Sequence, residues 1–144
     1  MEPLYRVQFS YTGGWGADLA GLENPECQFF FLAEGHYEGR ISGQFRGANH
    51  PHRRSDGTFV PNFQGVIETD NEAEVVFDYR GYGRAYPIGR RQIVISATHL
   101  SEDERYCWLN DSLSVGVGEV RSQEDGTTEL VVELADLVWE PVSD

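Results

Sequence analysis

A chain of 144 residues is the usual size of one domain and too short for two independent cores. Its 11 basic and 24 acidic side chains give a formal charge of -13, which repels phosphate backbones and anionic lipid, so neither nucleic acid nor a membrane is an expected partner. Cys27 and Cys107 are too few for a disulfide framework, Met1 to Ser10 carry no export signal, and no window approaches about eighteen apolar residues, so a soluble, reduced, cytoplasmic protein is expected.

Period-two alternation dominates the chain and predicts strands. Tyr5, Val7, Phe9 and Tyr11 alternate with Arg6, Gln8 and Ser10, giving a strand over 5–11. A denser apolar strand follows over 27–34, and Tyr37, Gly39, Ile41, Gly43 and Phe45 alternate with polar residues over 37–46. Because Phe29 to Phe31 place rings on both faces of their strand, a covering partner is expected, and a homodimer is the simplest one.

The polar stretch Asn49-His50-Pro51-His52-Arg53-Arg54 comes next. His50 and His52 would share a metal only with a third ligand, so a ligand-facing lid and a solvated loop both remain open, and no metal ion or other cofactor is expected. Strands then follow over 62–69 and 74–82, separated by Asp70-Asn71. Tyr79 shares the apolar face of Val75 and Phe77, whereas Arg80 lies opposite and Tyr82 sits near the strand end; tyrosine and arginine together can clamp a planar or carboxylate-bearing ligand or form a barrel rim.

The strand over 91–99 carries Arg91, Ile93, Ile95, Ala97 and His99 on one face. His99 titrates near neutrality at the end of that face, as a general acid or base or as a core histidine satisfied by a backbone carbonyl. Ser101-Glu102-Asp103-Glu104 has capping-box spacing and predicts a short helix over 102–109, with Trp108 as a plug of one barrel end and Asn110 capping nearby backbone. The last two strands, 113–121 and 129–138, carry Glu119 and Asp136 on otherwise apolar faces, as bases near a ligand, as exposed strand-end residues or as partners of Arg121 or Arg91.

About eight strands and one helix therefore predict an all-β protein, a single antiparallel barrel whose closure removes exposed edges and leaves room for one small ligand. The catalytic candidates are His99, Tyr79, Glu119 and Asp136; the ligand-binding candidates are Tyr37, Arg40, His50, His52, Arg80, Tyr82, Trp108 and Asn110.

The segment Asp103-Glu104-Arg105-Tyr106-Cys107-Trp108-Leu109-Asn110-Asp111, with Val115-Gly116-Val117-Gly118 and the earlier Gly65 to Asp70, resembles the bacterial family known as domain of unknown function 3237. The resemblance implies a lipocalin-like or cyclase-like barrel with an internal cavity and assigns no chemistry to any residue. An aromatic-rich barrel without a nucleotide signature suggests an isomerase, cyclase or lyase acting on an aromatic or polyketide-like metabolite by proton transfer, or alternatively a carrier or sensor of an apolar small molecule.

Overall fold

The computed structural model describes residues 1–19, 26–85, 91–122 and 124–143. Among them are ten strands: β1 (Glu2–Leu19), β2 (Glu26–Gly39), β3 (Gly43–Asn49), β4 (His52–Arg53), β5 (Phe59–Val60), β6 (Phe63–Thr69), β7 (Glu74–Ala85), β8 (Arg91–Leu100), β9 (Ser114–Ser122) and β10 (Thr128–Asp136). Eight of them close a ring in the order β1-β2-β3-β6-β7-β8-β9-β10 and back to β1, with antiparallel pairing throughout. The short β4–β5 ribbon hangs from β7, where Phe59 faces Gly83. The expected barrel is thus the observed one.

Two boundaries differ from expectation. The residues read as one strand over 37–46 form a hairpin, because Gly39 turns the chain with φ +137° and Ser42 Oγ closes the turn onto the Gly39 amide and carbonyl at 3.3 and 3.2 Å. A Cβ at Gly39 would lie 2.7 Å from the Leu4 carbonyl oxygen, so the regular glycine spacing there marks a turn rather than a strand face. The 27–34 strand instead continues through 37, and the number of ring strands still comes to eight.

The capped helix is also displaced. Ser101 Oγ donates to the Glu74 carbonyl at 2.8 Å and accepts the Asp103 amide at 3.2 Å, which diverts it from capping Glu104. The helical segment is a single 3-10 turn over Cys107–Asp111 that buries Leu109. Asn110 does bond nearby backbone, accepting the Ser101 amide at 2.8 Å and donating to the Ser101 carbonyl at 3.0 Å.

The interior has one continuous core but two unlike halves. Toward the 3-10 turn, Leu4, Val7, Tyr37, Ile41, Ile67, Phe77 and Leu109 are at most 2 % exposed, and Trp108 packs against them from outside. Toward the opposite end the strands splay around a cavity of about 490 Å³. Beyond that rim β1 and β2 run on as an arm in which Trp15 stacks on Phe30 at 5.9 Å, Phe29 leans on Phe59 at 6.0 Å and Phe31 enters the cavity wall. No helix among the described residues is long and apolar enough to cross a membrane. The Cys27 side chain and Tyr86 lie outside the described residues.

Candidate functional site

The cavity is walled by rings on one side and aliphatic groups on the other. Phe9, Tyr11, Phe31, Phe59, Phe63 and Tyr82 come from β1, β2, β5, β6 and β7, and Ile93, Ile95, Val120, Leu130 and Val132 from β8 to β10. Aromatic packing holds the first wall in place, with Tyr11 stacked on Phe31 at 4.8 Å and Phe9 edge-on to Phe63 at 5.5 Å. Asn49 fixes Tyr11 further by donating to its hydroxyl at 3.1 Å while accepting the Asn62 amide at 3.2 Å. Its volume and mostly apolar lining are those of a small-molecule site.

At the inner end stands Tyr79, the wall residue that joins the cavity to the filled half. Its hydroxyl lies 2.7 Å from that of Tyr5 and 2.5 Å from that of Tyr37, and Tyr5 in turn lies 2.7 Å from His99 Nε2. All four side chains are buried, and neither Tyr5, Tyr37 nor His99 lines the cavity. His99 therefore communicates with the cavity only through Tyr5 and Tyr79.

The direction of this chain follows from hydrogen-bond accounting. His99 Nδ1 has no partner, and leaving a buried N–H unpaired costs more than leaving a lone pair, so the proton resides on Nε2. His99 Nε2–H then donates to Tyr5, and Tyr5 passes its own hydrogen to the Tyr79 oxygen, while between Tyr37 and Tyr79 either hydroxyl can be the donor. Where Tyr37 is the donor, the Tyr79 hydrogen is not used within this cluster. Burial raises the pKa of all three phenols above the ordinary tyrosine value; at Tyr79 the hydrogen bonds with Tyr37 and Tyr5 oppose that rise, because they favour its phenolate. Burial also lowers the His99 pKa to about 4, with the nearby Asp136 charge pulling the other way, so the imidazole is neutral at physiological pH.

Asp136 faces inward as expected but belongs to the closed end. Its Oδ1 accepts Ser114 Oγ at 2.7 Å, and its Oδ2 lies 3.7 Å from Arg40, not Arg91. Arg40 also reaches Glu2 at 3.8 Å and stacks 4.2 Å above Trp108, so it closes the end opposite the cavity and does not orient a ligand there. The remaining candidates divide clearly. Tyr82 lines the cavity, whereas His50 and His52 are exposed and the cavity takes Pro51 between them. Arg80 turns outward and pairs with Asp78 at 3.0 Å. Trp108 and Asn110 serve the plug.

Glu119 is misassigned by the strand pattern. On β9 the even residues face inward, so Ser114 and Gly116 are buried and Val120 and Ser122 line the cavity, while Val117 is 63 % exposed. Glu119 accordingly points out and accepts Arg121 Nε at 2.7 Å. The inversion arises because the inner face carries glycine, whose missing side chain lets β9 approach β10: a Cβ on Gly118 would sit 2.1 Å from the Val131 carbonyl oxygen. Sequence reasoning also missed Tyr5, which stands in the alternating face of β1 with nothing local to distinguish it from a packing residue.

Among the described residues no cluster of three His, Cys, Asp or Glu side chains is placed to hold a metal ion. No family model matches the chain, and no curated protein does. Solved structures do match in fold. A β-barrel-like protein from Acinetobacter baumannii AYE is 17 % identical with TM-score 0.74, over 94 % of this chain and 93 % of its own. A protein of unknown function from Clostridium acetobutylicum ATCC 824 reaches TM-score 0.78 at 11 % identity, over 95 % and 98 % of the two chains. An enzyme from Penicillium herquei matches with TM-score 0.62 at 17 % identity, over 93 % and 92 %. At these identities the likeness establishes a shared barrel and nothing finer.

Proposed function

We propose that the barrel binds an aromatic or polyketide-like small molecule and promotes its cyclisation or isomerisation by stabilising negative charge that develops on a carbonyl oxygen at Tyr79. The observation that carries this reading is Tyr79 itself: the residue lines the cavity, and its hydroxyl lies within hydrogen-bond distance of those of Tyr5 and Tyr37. A phenol held neutral by burial and supplied with two hydrogen bonds is a preorganised donor for an oxyanion. The Penicillium herquei neighbour being an enzyme is consistent with catalysis on this scaffold.

Among the described residues the wall contains no carboxylate and no imidazole, so they offer it an acid side and no base. The chemistry that suits it uses a nucleophile the substrate already carries. In one such step an ionised substrate hydroxyl adds to the β-carbon of a conjugated ketone. A C–O bond forms, the alkene pair shifts to the bond between the α-carbon and the carbonyl carbon as the carbonyl pair moves onto oxygen, Tyr79 donates to that oxygen, and the α-carbon then takes a proton from a water molecule admitted to the cavity, restoring the ketone. The lack of a wall base is also what favours the second reading, a carrier.

Ring closure of 2′-hydroxychalcone, followed by the loss of its enone absorbance, separates the two. The proposal expects saturable acceleration that falls about a hundredfold in Tyr79→Phe, as for the loss of one oxyanion donor. Saturable binding without acceleration would support the carrier reading instead.

A further inference from the structure

We infer that the ligand of this cavity is a carboxylate whose apolar body lies between the two walls and whose charge is received at the rim by Arg91. The inference rests on the cavity being a ligand site and adds the charge of what it takes. All 11 basic residues of the chain are arginines, and ten lie among the described residues. Seven of those ten are within ion-pair distance of a carboxylate. The exceptions among the described residues are Arg53, Arg84 and Arg91, and all three gather at one place.

Arg91 lines the cavity itself and faces Phe59 at 5.9 Å, Arg53 covers the same ring at 5.2 Å, and Arg84 lies 5.1 Å over Tyr82. Phe59 and Tyr82 are both wall residues, so each guanidinium stacks on a ring that a ligand would touch. In a chain of charge -13 there is no shortage of carboxylates, yet none of the three is within ion-pair distance of one among the described residues, although Arg84 feels Asp56 at longer range; around one apolar opening they form a collar of the opposite sign to the rest of the surface. Such a collar attracts anions and holds a planar carboxylate through paired N–H donors. Gln92, Ser122 and Thr128 line the same rim and supply further hydrogen-bond donors.

The span is informative about shape. Tyr79 faces Ala97 on β8, and Arg91 is six residues before Ala97 on that strand. Roughly 20 Å of strand therefore separates the backbone positions of the two residues, and the Tyr79 and Arg91 side chains take up part of that span. A ligand touching both is elongated, with an oxygen at each end and rings between.

The probe pair is 6-hydroxy-2-naphthoate and its neutral carboxamide, titrated by their own fluorescence into wild type, Arg91→Gln and Arg91→Lys. The carboxylate should bind at least about tenfold more tightly than the amide, and Arg91→Gln should remove that difference while leaving amide affinity unchanged. Arg91→Lys, which keeps the charge and loses the fork, should fall between. Equal affinity for both probes in wild type, or an unchanged preference in Arg91→Gln, would overturn the inference and leave the cavity reading standing. If neither probe binds wild type, the cavity reading falls and this inference with it.

Discussion

The two halves of this barrel use the same eight strands to opposite ends. Near the 3-10 turn the interior is packed solid by Tyr37, Ile41, Phe77 and Leu109 and closed by Trp108 under Arg40. Near the β4–β5 ribbon the same strands enclose a mostly apolar cavity. Stability is therefore concentrated in one half, which frees the other to hold a cavity without loss of the fold. The tyrosine chain crosses between them: its histidine end is anchored in the packed half, and Tyr79 at its other end lines the open one.

The sharpest way to break this division is to truncate one side chain in each half. Phe77→Ala, at 0 % exposure, should cost about 3–5 kcal/mol in denaturant unfolding, whereas Ile95→Ala on the cavity wall should cost about 2 kcal/mol or less, because it removes fewer contacts. Equal losses would show that the open half is as tightly packed as the closed one.

A second effect belongs to His99. Its folded pKa of about 4 lies below the ordinary 6.5, so the unfolded chain binds the proton more readily. Stability is complete above pH 6.5 and drains away as pH falls toward 4, by about 3 kcal/mol in all. His99→Gln, which keeps a donor toward Tyr5, should flatten that dependence when unfolding is measured across pH 4–7. A wild-type profile flat over that window would contradict the buried, neutral imidazole.

The smallest expected effect is at Glu119. Since it points outward and pairs with Arg121 on the surface, Glu119→Gln should change stability by no more than about 0.5 kcal/mol and leave ligand affinity unaltered. A large loss of affinity would restore the inward reading of β9.

Much of this arrangement was legible in the residues. Alternation in β1, β7 and β8 identified the inward faces of Tyr5, Tyr79 and His99, and the ring of eight strands followed from counting such stretches. It failed where glycine did the work of the interior. On β9 the apolar face is the outer one, and around Gly39 an even glycine spacing concealed a turn. The tyrosine chain itself was illegible, since Tyr5 and His99 are 94 positions apart and meet only through closure of the barrel. Arg40 shows the converse, a residue whose charge suggested ligand binding and whose partners, Asp136, Glu2 and Trp108, are revealed only by the fold.

The claim that most depends on this geometry is that Tyr79 presents a polarised hydrogen to the cavity. Absorbance titration of 4-nitrophenol into the protein measures it directly, since the ionised and neutral forms absorb at different wavelengths. Bound nitrophenol should be more ionised than free nitrophenol at the same pH, and Tyr79→Phe should abolish that bias. Bound nitrophenol that is no more ionised than free, or a bias that survives Tyr79→Phe, would contradict the account.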